Sequence, residues 1–248
     1  MKKNIIANFK MNKTADEVKA FLIELIPAVK SANATVFVCP NFVALKSAEE
    51  LAKNSPIIIG AQNISEFTSG SHTGEISPEM LSSVGVSTVI IGHSERRKQN
   101  KETDAGINKK ILNALKNRFK IVFCFGETKI EKERNATEKV LKSQIETALS
   151  GLYENELKSI IFAYEPVWAI GTGENASIKQ IEVAAGVIKK IIKELFSEKA
   201  ANECEIVYGG SVSSQNAKKI FQINGISGAL VGSASLDVSE FIKIINLA

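Results

Sequence analysis

The chain has 248 residues, 44% of them apolar and 23% charged, with a formal net charge of +4. That length allows a large buried core, and lysines scattered over the expected helix surfaces argue against a nucleic-acid-binding stripe. With no run of eighteen apolar residues, no membrane span is expected, and Met1-Lys2-Lys3 leads too quickly to Asn8 and Lys10 for a signal-peptide core.

Asn4 to Phe9 is a short apolar run that ends on Asn8, Phe9 and Lys10. Thr14-Ala15-Asp16-Glu17 is a capping box, and Val18, Leu22 and Leu25 then mark one helical face. Thr35 to Cys39 is a second strand, stopped by Pro40; a helix pattern follows at Leu45 to Leu51, and Ile57 to Ala61 is a third strand. Gln62 to Ser77 is a long polar loop, a length that in compact domains is usually functional or disordered. Pro78 opens a helix where its missing N–H costs nothing. Thr88 to Ile91 is a fourth strand, ending in Gly92-His93-Ser94-Glu95-Arg96-Arg97, and Ile107, Ile111 and Leu115 give the next helix.

Ile121 to Phe125 is a fifth strand, ending in Gly126-Glu127, with a helix from about Ala136 to Leu149. Ile160 to Tyr164 is a sixth strand, and it runs into a carboxylate, Glu165. Between Glu165 and a helix beginning near Ser177 lies Pro166-Val167-Trp168-Ala169-Ile170-Gly171-Thr172-Gly173. Proline makes one end stiff and the glycines make the other permissive. The apolar middle reads either as a lid or as filling for a local core; the strand-end carboxylate at its base favours the lid. Glu205 to Tyr208 is a seventh strand, ending in Gly209-Gly210-Ser211, with a short helix near Asn216 to Ile223. Gly228 to Val231 is an eighth, ending in Gly232-Ser233-Ala234-Ser235, and a last helix closes near Leu247.

Eight β-then-α units of roughly 31 residues each match the length of a βαβ step. Strands without polar alternation imply burial on both faces, hence a parallel sheet covered by helices. No linker or composition break divides residues 1–248, so one closed (β/α)8 barrel domain of class α/β is expected. An open doubly wound sheet is the alternative, disfavoured by the lack of G-x-G-x-x-G after the first strand. Cys39, Cys124 and Cys204 share no C-x-x-C spacing and read as buried reduced thiols of a cytoplasmic protein.

In such barrels the strand C-termini carry the active site. Those ends here collect Asn8, Lys10, His93, Glu95, Glu165, Ser211, Gly232 and Ser233. A strand-end histidine is commonly structural and a lone lysine commonly a solvated charge; their coincidence at one rim speaks for chemistry. Glycine-rich turns after the seventh and eighth strands suit phosphate binding by backbone N–H groups, although two tight turns need no ligand. Only His72 and His93 are present, so no histidine pair at metal-ligand spacing exists and neither metal nor cofactor is expected. A base, an electrophile and a phosphate cradle fit proton transfer next to a carbonyl.

Five segments in this order resemble the triosephosphate isomerase family over essentially the whole chain. They are A-N-F-K-M-N (Ala7 to Asn12), G-H-S-E-R-R (Gly92 to Arg97), A-Y-E-P-V-W-A-I-G-T-G (Ala163 to Gly173), Y-G-G-S-V (Tyr208 to Val212) and L-V-G-S-A-S-L (Leu230 to Leu236). The resemblance implies interconversion of dihydroxyacetone phosphate and D-glyceraldehyde 3-phosphate, in glycolysis and gluconeogenesis. It implies Glu165 as base, neutral His93 as electrophile, and Asn8 and Lys10 beside the substrate oxygens, with Glu95 supporting Lys10. Gly171, Ser211, Gly232 and Ser233 would hold the phosphate through N–H groups, while Tyr208 and Ser211 latch the lid. Gln62 to Ser77 would be a dimer loop, with Thr73 reaching a neighbour's Asn8 and Lys10 in a homodimer, and His72 an interface or surface residue.

Burial of Glu165 under the lid is expected to raise its basicity, and a helical turn at Ser94 to Arg97 to disfavour a charged His93. Two positions depart from the family pattern. Phe9 stands where tryptophan is usual, with little effect expected. Ser233 replaces a glycine, a strain of roughly 1–2 kcal/mol if its φ must be positive. Another phosphate-binding barrel, such as an aminoaldose-phosphate isomerase, or a non-catalytic sugar-phosphate binder remains as an alternative reading.

Overall fold

A computed structural model describes residues 2–170 and 175–248. Eight strands form one parallel sheet: β1 (Lys3–Asn8), β2 (Ala34–Cys39), β3 (Ile57–Ile59), β4 (Thr88–Ile91), β5 (Lys120–Phe125), β6 (Ile160–Tyr164), β7 (Glu205–Tyr208) and β8 (Gly228–Val231). Their order, β3-β2-β1-β8-β7-β6-β5-β4, leaves β3 and β4 as the ends of the ladder. Ala61 joins them. Its N–H donates to Thr88 O at 2.8 Å, and its carbonyl accepts from Ile90 N at 2.8 Å. The ring is thereby brought round to the (β/α)8 barrel expected from the strand count.

Helices between the strands cover the outside: α1 (Ala15–Ala28), α2 (Leu45–Ala52), α3 (Pro78–Ser83), α4 (Ser94–Gln99), α5 (Asp104–Lys116), α6 (Lys129–Glu133), α7 (Thr137–Ala148), α8 (Ile178–Leu195), α9 (Glu198–Glu203), α10 (Ala217–Phe221) and α11 (Val238–Asn246). The capping box Thr14/Glu17 forms as its spacing predicts. Pro78 opens α3 behind the N-cap Ser77, whose hydroxyl accepts from Met80 N.

Side chains alternate across each strand, which divides the core in two. Ile6, Phe37, Ile90, Val122, Ile161, Val207 and Leu230 fill the barrel interior together with Cys39 and Cys124. Their strand neighbours, such as Ile5, Val36, Ile91 and Phe123, pack outward against the helices. A filled interior leaves no channel, so chemistry is confined to the rims.

The third strand is shorter than its apolar run, ending at Ile59 with Ala61 as an isolated bridge. The short helices α6 and α9 are additions to the expected list. Cys39 and Cys124 are buried, whereas Cys204 is only half-buried at the start of β7. Phe9 is fully buried and meets Phe21 edge-on at 4.9 Å between ring centres.

Candidate active site

Lys10 follows β1 in a left-handed backbone conformation, φ 52°. Such a φ is uncommon for a residue with a side chain, and local hydrogen bonds hold it. Its N–H donates to Asn8 Oδ1 at 3.1 Å, and its carbonyl accepts from Gln62 Nε2 at 2.8 Å. Its ammonium then reaches Glu95 Oε1 at 2.6 Å.

His93 is the N-cap of α4. Its Nδ1 accepts the Glu95 N–H at 3.2 Å. A nitrogen that accepts an N–H carries no proton, so in the neutral ring the proton is on Nε2. Nε2 lies 3.0 Å from Glu165 Oε1. The other carboxylate oxygen accepts the Ser94 N–H at 3.0 Å. Both side chains are buried, at 7% and 2% exposure.

The electrostatics differ from the sequence-based expectation. Burial alone pushes Glu165 up, but His93, the Ser94 N–H and Lys10 outweigh it and hold the carboxyl below its ordinary value. Burial likewise pushes His93 down, yet the adjoining carboxylate outweighs it and raises the imidazole. The pairing therefore reverses both effects of burial while Glu165 faces His93. Glycine at 209 makes room for this arrangement: a Cβ there would lie 2.8 Å from Glu165 Cγ.

A cavity of about 250 Å3 opens over these groups. Asn8, Lys10, His93 and Glu165 line it together with Ser211, Gly232 and Ser233. Gly232 caps a 3-10 segment, Ser233–Ser235, whose first N–H groups have no intrahelical acceptor. Ser233 is not among the residues with positive φ, so the strain considered for it is absent. Of the expected site residues, Gly171 lies outside the described residues, as do Thr172 and Gly173 of the expected lid; the rest gather on this one rim. No three His, Cys, Asp or Glu side chains cluster for a metal among the described residues.

Val167–Ala169 forms a 3-10 turn after Pro166. Trp168 donates its indole N–H to Glu127 Oε1 at 2.7 Å, and Tyr164 Oη donates to both Glu127 oxygens at 3.2 Å. Lys132 Nζ stands 3.0 Å from the Trp168 ring centre. Burial raises Glu127 despite these donors. Ser211 Oγ donates to Ala169 O at 2.9 Å, which ties the first part of the lid segment to the seventh strand's turn. The Tyr208 phenol is pushed up to about 12 by burial.

Sequence reasoning placed Ser94 in a helical turn and Gln62 in the long loop but foresaw neither contact with the site, and it assigned no role to Glu127. Ser94 acts through its own backbone N–H, which leaves no side-chain signal, and Gln62 through a side-chain amide that donates to the distant backbone carbonyls of Lys10 and Cys39. Glu127 had one readable cue, a carboxylate at the end of the fifth strand.

A model of the triosephosphate isomerase family matches residues 3–248. Curated relatives similar to the chain bear that name. The chain is 44% identical over 242 residues to one from Clostridium botulinum, covering 98% of both chains. It is 44% identical over 247 residues to one from Caldanaerobacter subterraneus, covering 99% of this chain and 100% of the relative. It is 45% identical over 245 residues to one from Thermodesulfovibrio yellowstonii, covering 98% of each. With the barrel, the rim cavity and near-complete coverage in agreement, the chain belongs to the triosephosphate isomerase family.

Proposed function

We propose that Glu165 is the base and His93 the electrophile in the reaction this chain performs as a member of its family, the interconversion of dihydroxyacetone phosphate and D-glyceraldehyde 3-phosphate. The observation that carries this reading is the His93 Nε2 to Glu165 Oε1 contact of 3.0 Å, with both partners also held by the backbone of α4. An ionised carboxylate in a water-poor cavity takes a proton from the carbon next to the carbonyl. To do so it leaves Ser94 and His93 and turns to the substrate. The influence that raises His93 departs with it, and the neutral ring is left with an Nε2–H to donate to the carbonyl oxygen.

Lys10, steadied by Glu95, supplies the positive charge for the enediolate oxygens, with Asn8 beside it. The N–H groups of Ser211, Gly232 and Ser233 hold the phosphate. Closure of the segment that begins at Pro166 excludes water and suppresses phosphate loss from the enediolate. Residues 1–248 act as one barrel domain in this reading.

The homodimer is proposed on a second observation. A cavity of about 170 Å3 adjoins the site, lined by Lys10, Met11, Gln62, Glu95 and Arg96 among others. Met11 is 95% exposed beside it, and Val43, Phe67 and Met80 are also exposed. Thr73, at the exposed tip of its loop, is the right size for such a socket on a second copy. We assign the enzyme to the cytoplasm, in glycolysis and gluconeogenesis.

Turnover of D-glyceraldehyde 3-phosphate in deuterium oxide tests the reading. Carbon-bound deuterium in the product is expected, from exchange at the protonated Glu165. Product without any carbon-bound deuterium would count against proton transfer through an exchanging base.

A further inference from the structure

Two serines line the catalytic cavity, Ser211 and Ser233. Ser211 uses its hydroxyl on Ala169 O at 2.9 Å. The nearby Ser235 is fully buried and uses its hydroxyl on Gly232 O at 2.7 Å. Ser233 differs from both. It is exposed at the cavity wall, and no hydrogen bond engages its hydroxyl among the described residues. The turn faces the site's cation: a Cβ on Gly232 would lie 3.5 Å from Lys10 Cε and 3.9 Å from Lys10 Nζ.

We propose that the Ser233 hydroxyl is itself a ligand of the substrate phosphate, a side-chain donor added to a cradle otherwise made of backbone N–H groups. This rests on the phosphate assignment made above. A phosphate seated on the 232–235 turn would cover this exposed hydroxyl and cut it off from solvent. A polar group stripped of water and left without a partner is costly, and the one acceptor brought to it is a phosphate oxygen. Its negative φ lets the side chain occupy this place without backbone strain. A hydroxyl donating to an anion is among the stronger hydrogen bonds available there.

Inorganic phosphate, used as a competitive inhibitor of the whole enzyme, tests the proposal with Ser233→Ala and Ser233→Gly. Both variants are expected to raise the phosphate Ki about three- to tenfold. Both should also lower kcat/KM for D-glyceraldehyde 3-phosphate more than for unphosphorylated D-glyceraldehyde. An unchanged Ki in Ser233→Ala overturns the proposal, as does weakening in the glycine variant alone, which would trace to backbone freedom. An equal loss with both substrates also overturns it, because it marks a general disturbance of the site. If wild type isomerises its substrate but inorganic phosphate does not compete at all, the phosphate assignment itself fails.

Discussion

His93 Nε2 and Glu165 Oε1 are 3.0 Å apart, and the backbone of one short helix holds the far side of each group. Glu95 N–H binds His93 Nδ1 and Ser94 N–H binds Glu165 Oε2. The proposed base and electrophile are thus held against each other on α4.

Removing the carboxylate charge of Glu165 must lower the pKa of His93. In Glu165→Gln the influence that raises His93 is gone while its burial remains, so the His93 pKa should fall relative to wild type. With only two histidines in the chain, the ring resonances can be assigned and titrated by NMR. The linked stability has a definite sign. Glu165 is depressed, so its contribution is present above about pH 4.5 and lost as pH falls through the depressed value. His93 is raised, so its contribution is complete below about pH 6.5 and lost as pH rises through the raised value. A His93 pKa equal or higher in the variant contradicts the pairing.

The loop after α4 should matter to stability. Glu102, its side chain 9% exposed, accepts from Arg96 Nε of α4 and from Lys110 Nζ of α5, which also binds Asn63. Burial raises this carboxyl, but the two cations outweigh it and leave it depressed. Glu102→Ala strands the buried Lys110 and the half-buried Arg96 and should cost about 3 kcal/mol in denaturant unfolding. The wild-type contribution should be present above about pH 4.5 and disappear as pH falls through the depressed value. A variant as stable as wild type at pH 7 would show that the cluster does not hold α4.

Trp168 is the only tryptophan, so its fluorescence reports the lid base without interference. A phosphorylated enediolate mimic should shift its emission as the segment closes. Glu127→Gln replaces the carboxylate acceptor of the indole N–H by a neutral amide oxygen, and should weaken the observed arrangement by about 1 kcal/mol. Its emission before ligand is added should differ from that of wild type. Spectra that are identical with and without the mimic, in both proteins, would remove the lid assignment.

At the tip of its loop, Thr73→Arg should prevent a second copy from docking, because a long charged side chain does not fit a socket of about 170 Å3. Sedimentation should give a dimer for wild type and a monomer for the variant. A wild-type monomer, or an unaffected variant dimer, contradicts the proposed interface.

The strands were legible in the sequence because barrel strands are buried on both faces and read as apolar runs. The rim was legible because the polar residues interrupt those runs at their ends. What was hidden has physical reasons. Helix α6 has no buried residue and so no amphipathic period; only its box, Thr128 with Glu131, announces it. The part played by Glu127 depends on Tyr164 and Trp168, 37 and 41 residues away. The pKa directions of Glu165 and His93 follow from a contact across the barrel mouth, which burial reasoning on either residue alone predicts with the wrong sign. Ser233 looked strained only while its φ was unknown.

The most direct measurement is isomerisation of D-glyceraldehyde 3-phosphate by wild type and Glu165→Gln, with competition by inorganic phosphate followed in parallel. Rapid wild-type turnover is expected, with a loss of about 10²- to 10⁴-fold in kcat for the variant and phosphate binding retained in both. A variant that turns over like wild type while still binding phosphate would contradict the assignment of Glu165 as the base.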